Sequence, residues 1–387
     1  MKMNKILIAM DSFKGSATSK EVGEWVKTGM MNVTQNLDIS MLSVADGGEG
    51  TLDSLIKGNK GNIYRQIVQD PLGRKISARF GMLDKTTAVI EMAEASGITL
   101  IEQNESNALR ASTFGVGELL LAAIEKGAEV VYIGIGGSAT TDGGAGMAQA
   151  LGVKMLDATG NSIKPGVQGL ETLAHISLNE MDKRIPTIKI KILSDVTNPL
   201  TGNTGAAAVY GLQKGIPEKM IAEVDKWLEN YSTILKKDLG IDIEQTSGSG
   251  AAGGLGAGLL AFTNATMTHG IDEILCLLNF EKRILDVDLI ITGEGKMDNQ
   301  SVHGKAPIGI AKIAKAKNIP VIAIVANRDS DLTMVYQAGI DLVLSIIDSP
   351  MTLDNAIENV KQHTITTGET AIRAFLLGRK RNKVEKE

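Results

Sequence analysis

The chain has 387 residues, 43% hydrophobic and 22% charged, with a net charge of −5. That length is more than one domain usually holds, and the composition is ordinary for a globular protein. The acidic balance and an aromatic content of 3% argue against a nucleic-acid partner, and a single cysteine, Cys276, excludes a disulfide framework.

The N-terminal part of the chain alternates strand-like and helix-like segments. Residues 5–10 form an apolar run that predicts a buried strand, and residues 19–30 place four apolar side chains on one helical face. A second strand is predicted at residues 39–46 and a second helix at residues 50–58, ending at Gly58. This βαβα order predicts a parallel sheet with helices on its faces.

The pattern changes near Asn62, where short strands replace the alternation. Residues 63–83 predict two strands joined by a turn at Pro71-Leu72-Gly73, and residues 86–97 predict a third, which favours antiparallel pairing. The elements predicted after these are a helix at 113–127, strands at 128–136 and 188–196, a long amphipathic helix at 217–240, and a glycine-rich loop that runs into an apolar helix at 248–262.

The last part of the chain is regular again. The elements predicted there are strands at 287–293, 319–326 and 340–347, helices at 306–318 and 334–339, and a C-terminal helix. Since the regular parts lie at both ends, we predict an α/β protein of two α/β domains. One is a discontinuous Rossmann-like domain with a mostly parallel sheet, residues 1–61 and 277–387. The other is an inserted α/β domain with mixed strands and glycine-rich loops, residues 62–276.

Six loops share one style, combining glycines with acidic, hydroxyl or amide residues. They are residues 9–19, 44–51, 134–146, 194–202, 248–258 and 291–307. Glycine is also abundant overall, with 43 copies in 387 residues, about 11% against a usual ~7%. In open α/β sheets ligands bind beyond the carboxyl ends of strands, so we expect these loops to carry the site.

The loop at 134–146, GIGGSATTDGGAG, admits three interpretations. The simplest is a tight turn between strand and helix with glycines for close packing, which explains one or two glycines but not the hydroxyl run among them. Gly134, Gly136 and Ala139 fit the dinucleotide pattern G-x-G-x-x-G/A, but a helix should open within that pattern, and Asp142 and Gly143 interrupt it. Phosphate fits better, because glycines let backbone N–H groups point at one anion and hydroxyls add donors. The predicted phosphate-binding residues in this loop and in 248–258 are Gly136, Gly137, Ser138, Thr140, Gly250, Gly253 and Gly254.

Phosphoryl transfer also needs cations and a base. Two lysines lie beside glycine in loops at strand ends, Lys14 and Lys305, although a solvated surface charge is the usual role of a loop lysine. The acidic candidates for Mg²⁺ ligands or a general base are Asp46, Glu49, Asp195, Glu294 and Asp298. Mg²⁺ usually takes one or two carboxylates, so most have other roles, and Asp46 and Asp298 precede helices as N-cap residues do. His303 is a candidate proton shuttle.

Nine motifs in order resemble the bacterial glycerate kinase family, over nearly the whole chain from Lys5 to the C-terminal helix. They are DSFKGS, ADGGEGT, PLG, EMAEASG, GIGGSATTDGGAGM, DVTNPLTG, GLQKG, GSGAAGGLGAG and ITGEGKMDNQSVHGKAPIG. The resemblance implies two α/β domains, one of them Rossmann-like. It also implies phosphorylation of D-glycerate by ATP with Mg²⁺, on the 2-hydroxyl. Two positions depart from the family pattern, Thr141 in place of Asn and Ala326 in place of Gly.

Within that resemblance each candidate has an expected role. The glycine loops hold the ATP phosphates, and Lys14 and Lys305 neutralise phosphate or the glycerate carboxylate. Asp195 is the first candidate for the base, with Asp298 second. Asp46 and Glu294 are the expected Mg²⁺ ligands.

Three other functions stay open at this stage: a glycerate 3-kinase, an NAD-dependent hydroxy-acid oxidoreductase and a non-catalytic sugar-acid sensor. The sensor is disfavoured because no basic recognition helix is present. We expect a cytoplasmic protein with a small-molecule substrate, and the sequence leaves formation of a homodimer open. No membrane partner is expected, since the chain lacks a run of ~18 apolar residues and its first apolar run ends at Asp11.

Overall fold

The computed structural model describes residues 3–13, 15–45, 47–302 and 304–384, except for the side chains of Gln300 and residues 380–384. The strands are β1 (Asn4–Met10), β2 (Leu37–Ser43), β3 (Asn62–Gln69), β4 (Lys75–Met82), β5 (Thr87–Glu91), β6 (Val130–Gly134), β7 (Lys154–Asp157), β8 (Leu173–Ser177), β9 (Lys189–Leu193), β10 (Asn264–Thr268), β11 (Leu289–Gly293), β12 (Lys296–Met297), β13 (Val321–Val325), β14 (Asn327–Arg328) and β15 (Leu342–Ser345).

The helices alternate with these strands through most of the chain. They are α1 (Ser19–Val33), α2 (Thr51–Asn59), α3 (Ala93–Ser96), α4 (Glu105–Arg110), α5 (Phe114–Glu125), α6 (Ala145–Ala150), α7 (Ala206–Tyr210), α8 (Ile221–Leu239), α9 (Ala251–Phe262), α10 (Gly270–Leu277), α11 (Phe280–Arg283), α12 (Ala306–Ala316), α13 (Thr333–Gln337), α14 (Leu353–Glu358) and α15 (Val360–Val384). This mixture confirms the predicted α/β class. No helix of the described residues combines the length and hydropathy of a membrane span.

The chain forms two compact units, Met1–Asp46 with Ile271–Glu387, and Gly47–Gly270. The sequence predicted a division at 61/62 and 276/277, and that first division would separate α2 from the strands it covers. Gly81 of β4 shows why α2 groups with the second unit, because a Cβ there would lie 2.3 Å from Cδ1 of Ile56 in α2. The helix therefore packs directly on the sheet of that unit.

The first unit is built on a five-stranded sheet of order β15-β13-β11-β1-β2, in which every pairing is parallel. Strands β11 and β13 are buried throughout, as expected of apolar runs covered on both faces. The strand order changes direction between β1 and β11, which makes that position the topological switch point where α/β proteins bind ligands.

Helix α1 of this unit begins with a capping box, in which Thr18 accepts the N–H of Glu21 and the Glu21 carboxylate accepts the N–H of Thr18. The same helix packs against α15 at Gly29. A Cβ at that position would lie 2.0 Å from the carbonyl oxygen of Ile365, so only glycine permits the approach.

The second unit is built on a six-stranded mixed sheet of order β10-β9-β6-β5-β4-β3. Strands β5, β6, β9 and β10 are parallel, whereas β3, β4 and β5 pair antiparallel, as the change of pattern near Asn62 predicted. Asp70 holds the predicted turn after β3 by accepting the N–H groups of Leu72 and Arg74. The result is a parallel edge with four carboxyl ends together and an antiparallel hairpin beside it.

Segment 248–262 was predicted to be a glycine-rich loop that runs into an apolar helix. In the structure the helix itself is interrupted near its start. Helix α9 contains three consecutive residues with positive φ, Ala252 at 54°, Gly253 at 69° and Gly254 at 86°. Two of these are glycines, which adopt that conformation without steric cost, and the third is a strained alanine. The chain therefore turns sharply inside this segment before the apolar helix continues.

Candidate functional site

The switch point of the first unit carries acidic residues at both strand ends. Asp11 directly follows β1, and Glu294 directly follows β11; Met10 pairs with Gly293 one residue earlier. The N–H of Asp11 donates to the Gly293 carbonyl at 3.0 Å, which ties the two ends together. Both carboxylates are buried, with 6% of each residue exposed. The parallel sheet thus places two acids side by side where ligands bind in such folds.

Glu294 forms an ion pair with Lys305, whose Nζ lies 2.9 Å from Oε2. The same ammonium donates to the Lys296 carbonyl at 2.8 Å. The second carboxylate oxygen, Oε1, is buried and accepts no hydrogen bond within the described part of the chain. Burial raises the pKa of the Glu294 carboxyl, and the charge and hydrogen bond of Lys305, together with the nearby Ser301 hydroxyl, oppose that shift. The structure thus brings together two of the predicted site residues.

Asp298, the second candidate for the base, forms a local turn. Its Oδ1 accepts the N–H of Ser301 at 3.1 Å, which is the N-cap arrangement expected of an aspartate before a helical turn. Its Oδ2 lies 3.3 Å from Nζ of Lys296. Both oxygens are therefore engaged in this conformation. The predicted residues Lys14 and Asp46, and the candidate shuttle His303, lie outside the described residues.

In the second unit, four parallel strands end at Glu91, Gly134, Leu193 and Thr268. The segment Gly47-Gly48 lies across these ends. A Cβ on Gly134 would come within 2.5 Å of the Gly47 carbonyl oxygen. Glycine is required at position 134 because its backbone lies in contact with the backbone of Gly47.

The loop after β6 divides into an exposed tip and a buried remainder. Gly136 and Gly137 are exposed, whereas Ser138 and Thr140 are buried at 7% and 0% exposure. Ser138 donates to the Thr140 carbonyl at 3.2 Å, so its hydroxyl serves the loop itself. The departure at Thr141 is also buried, at 1% exposure. Of the residues predicted here to bind phosphate, only the two glycines have exposed backbone.

The same loop does not form a dinucleotide-binding turn. The helix that follows, α6, begins at Ala145, well after the glycine pattern has ended. Asp142 organises the turn before that helix. Its Oδ2 accepts Thr113 N at 2.8 Å, Thr113 Oγ1 at 2.9 Å and Gly146 N at 3.1 Å, and its Oδ1 accepts Gly144 N at 3.2 Å. Burial raises the pKa of Asp142, and these hydrogen bonds oppose the shift.

The second glycine loop packs on the first. A Cβ on Gly253 would lie 1.9 Å from the Thr140 carbonyl oxygen, and one on Gly254 would lie 2.7 Å from Cα of Gly143. The N–H of Gly143 donates to the Gly253 carbonyl at 3.0 Å. Gly250 is likewise held, since a Cβ there would lie 2.0 Å from the carbonyl oxygen of Pro199. These glycines allow two backbones to approach closely, a role the sequence did not predict for them.

Asp195, the first candidate for the base, follows β9 at the carboxyl edge. Its side chain is 20% exposed, and its Oδ1 lies 3.3 Å from Nδ1 of His269 and accepts the N–H of Gly270 at 3.2 Å. His269 follows the neighbouring parallel strand β10, and its side chain is 79% exposed. The edge therefore presents a carboxylate beside an exposed imidazole, a pairing that the sequence did not predict.

Two buried ionisable residues near this edge were also missed as candidates. Glu91 accepts the N–H of Leu52 at 2.6 Å, and burial raises the pKa of its carboxyl to about 7. Lys214 is 4% exposed and reaches the buried part of the 134–146 loop. The only signal in the sequence was their place in short motifs, EMAEASG and GLQKG. Among the described residues, no group of three or more His, Cys, Asp or Glu side chains has the arrangement of a metal site.

Known proteins similar to this chain identify its family. The glycerate kinase family model matches residues 6–376. A glycerate kinase from Bacillus subtilis is 46% identical over 360 residues, which cover 93% of this chain and 94% of that protein. A glycerate 2-kinase from Escherichia coli K12 is 45% identical, over 91% of this chain and 93% of that protein.

A solved structure agrees as well. The crystal structure of a protein assigned as glycerate kinase 2 from Salmonella typhimurium LT2 superposes with a TM-score of 0.84 at 41% identity, covering 98% of this chain and 100% of that one. Family model, relatives and fold all extend over nearly the whole chain. The protein is therefore an enzyme that belongs to the glycerate kinase family.

Proposed function

We propose that the protein transfers the γ-phosphoryl group of ATP to the 2-hydroxyl of D-glycerate, giving 2-phosphoglycerate and ADP. The observation that carries this proposal is 45% identity, over 91% of the chain, to a protein named glycerate 2-kinase. Kinases of this family use ATP as the phosphate donor. In the transfer, the 2-hydroxyl oxygen bonds to the γ-phosphorus, the bond from that phosphorus to the bridging oxygen breaks, and ADP leaves with the electron pair.

In the first unit, Lys305 is proposed to neutralise an oxyanion of phosphate or of the glycerate carboxylate. Its side chain is one-third exposed, and its ammonium is held at the strand edge by Glu294 and the Lys296 carbonyl. Fixed in this way, it loses little freedom when a ligand binds, which is the requirement for a preorganised electrostatic contact. Lys14 is proposed for the same role.

Glu294 is the residue of this unit whose environment fits a Mg²⁺ ion. Its Oε1 is buried and without a hydrogen bond from the described residues, and Mg²⁺ needs only one or two carboxylates when phosphate oxygens and water complete its shell. Bound there, the ion would neutralise charge on the phosphates of ATP. Asp46 is proposed as the second carboxylate ligand.

In the second unit, the exposed backbone of Gly136 and Gly137 is proposed to bind an oxyanion. Asp195 is proposed as the base that takes the proton of the glycerate 2-hydroxyl. Its partial exposure leaves a carboxylate oxygen within reach of a ligand, and its contacts with His269 and Gly270 hold it in place. Asp298 remains the second candidate, although both of its oxygens have partners.

A coupled assay tests the reaction. Purified protein, D-glycerate, ATP and Mg²⁺ are incubated with enolase and without a phosphoglycerate mutase. Phosphoenolpyruvate forms directly if 2-phosphoglycerate is the product. Formation of ADP without phosphoenolpyruvate would instead indicate transfer to the 3-hydroxyl, and absence of ADP would contradict kinase activity on glycerate.

Variants then test the assigned residues. Lys305→Met is expected to lower kcat/KM about tenfold to a hundredfold, since a charge-assisted contact with an oxyanion contributes about 1.5–3 kcal/mol. Lys312→Met is the matched control, because Lys312 is an exposed lysine of α12, the helix that Lys305 caps. Asp195→Asn is expected to abolish turnover while the thermal unfolding temperature stays close to that of the parent. Full turnover by Asp195→Asn would contradict its assignment as the base.

A further inference from the structure

Lys214 is a buried lysine that the proposed reaction does not yet use. It ends the 3₁₀ turn Leu212–Lys214, which follows α7. The next residue, Gly215, has a φ of 97°, and a Cβ there would lie 2.6 Å from the N atom of Asn104. The backbone is thus held against a neighbouring segment. This fixed backbone directs the lysine side chain into the interior, where 4% of the residue is exposed.

The ammonium reaches the loop that follows β6. Nζ donates to Ser138 Oγ at 2.9 Å and to the Thr140 carbonyl at 2.7 Å. These acceptors lie just beyond the exposed tip, Gly136 and Gly137. One side chain therefore anchors the buried end of the loop whose other end is exposed.

The electrostatic surroundings of Lys214 are sparse. Asp142, in the loop that follows β6, is the ionisable group that acts on Lys214 among the described residues, and the same carboxylate raises the pKa of Tyr231 in α8. Burial lowers the pKa of the Lys214 ammonium to about 7, with Asp142 opposing the shift. A methionine could fill a similar volume without this desolvation, so a purely space-filling role does not explain a lysine here.

We propose that Lys214 is a positioning residue for oxyanion binding, which fixes the conformation of the Gly136-Gly137 tip and places a positive charge behind it. The inference rests on the proposed function, in which this tip binds an oxyanion. That oxyanion is a phosphate of ATP or the carboxylate of glycerate. The lysine acts through the loop and does not itself touch the ligand, because the residue is buried and its Nζ donates to Ser138 and Thr140.

The charge and the hydrogen bonds respond differently to pH. The ammonium and the neutral amine can both donate to Ser138 and Thr140, since the neutral amine keeps two N–H groups. Only the ammonium adds positive charge behind the tip. The advantage of the lysine for binding an anion should therefore decline as the pH rises through about 7.

The test compares two variants of the full chain. Lys214→Met removes both the donors and the charge, whereas Lys214→Gln keeps a donor without the charge. Lys219→Met is the matched control, an exposed lysine in the following turn. KM for ATP, KM for glycerate and kcat are measured for each from about pH 6 to about pH 9, a range that spans the pKa of Lys214.

Lys214→Met is expected to raise the KM of one substrate about tenfold or more near pH 6, with a smaller change in kcat. The substrate whose KM rises identifies the oxyanion. The ratio of variant to wild-type KM should fall as the pH rises, and Lys214→Gln should show a smaller increase. Because both profiles are taken relative to wild type, titration of the substrates cancels.

Other results would overturn the inference. An unchanged KM for both substrates in Lys214→Met would show that the lysine serves packing alone, and a loss of the same size at every pH would contradict the role of its charge. If Lys214→Met fails to fold, the same criteria apply to Lys214→Gln, and an increase in KM that does not vary with pH contradicts the charge. An inactive wild-type protein would contradict the proposed function instead, so the two failures are distinguishable.

Discussion

Replacement of Asp142 by alanine tests whether this carboxylate organises the loop after β6. The substitution leaves three backbone N–H groups, of Thr113, Gly144 and Gly146, without their acceptor in a fully buried site. A buried donor that loses its partner costs about 1–3 kcal/mol. Part of that cost is offset because the burial of a carboxylate is relieved. We therefore expect the free energy of unfolding to fall by about 3–5 kcal/mol, as when one partner of a buried network is removed.

The assay needs a probe that reports on the second unit alone. The chain has two tryptophans, of which Trp25 lies in α1 and Trp227 lies in α8. In a Trp25→Phe background, the fluorescence of Trp227 follows urea unfolding of the unit that contains Asp142. The change in the free energy of unfolding of this unit is then obtained from the midpoint of the urea transition, provided that the dependence of that free energy on urea concentration is unchanged. The other unit does not contribute to the signal.

Asp157 provides the matched control. It accepts three hydrogen bonds, against the four of Asp142, from Thr159 N, Thr159 Oγ1 and Asn161 N, but in a solvent-exposed turn. Water can replace these bonds when Asp157 becomes alanine, so its loss of stability should be much the smaller of the two. Equal losses for Asp142→Ala and Asp157→Ala would refute the reasoning, because burial would then make no difference.

Two further predictions concern the same unit. Because burial raises the pKa of Glu91 from 4.5 to about 7, its contribution to stability is fully present below about pH 4.5 and is lost as the pH rises through about 7. The stability of wild type relative to Glu91→Gln should therefore fall by about 3 kcal/mol over that range in urea titrations, and a constant difference would contradict the shift. Gly253→Ala should destabilise by at least about 3 kcal/mol more than Gly240→Ala. The two glycines share a φ near 70°, but only at Gly253 would the Cβ meet an atom, the Thr140 carbonyl oxygen, within 4 Å; equal losses would show that backbone strain alone acts.

The architecture was predictable wherever a local pattern determines it. The apolar run at residues 5–10 lies within β1 and the run at 319–326 contains β13, because strands buried in a parallel sheet are continuous apolar segments. The turn at residues 71–73 was equally predictable, since Pro and Gly set its backbone angles. The ends of helices were less predictable. Helix α2 runs past Gly58 to Asn59, and Lys60 takes the left-handed position at its end.

The interior of the site was not predictable, because its contacts join residues far apart in the chain. Thr140 meets Gly253, and Ser138 meets Lys214, across separations that no local periodicity records. The hydroxyls of Ser138 and Thr140 looked like ligand donors in the sequence, yet both residues are buried, and Ser138 donates to the Thr140 carbonyl within the loop. Residue type alone cannot separate these roles, since a hydroxyl that binds an anion and one that satisfies a carbonyl are the same side chain.

The glycines of this loop also have different roles that residue type alone does not distinguish. Gly134 is required by contact with Gly47, and Gly143 packs against Gly254, so their presence says nothing about a ligand. Gly137 is different, because it is exposed and a Cβ there would make only an ordinary contact with Ala93 at 3.6 Å. Its φ of 73° nevertheless demands glycine. A glycine that is needed for its backbone angle in an exposed loop can direct N–H groups outward to an anion. The oxyanion contact is therefore expected at the Gly136-Gly137 tip, next to Lys214.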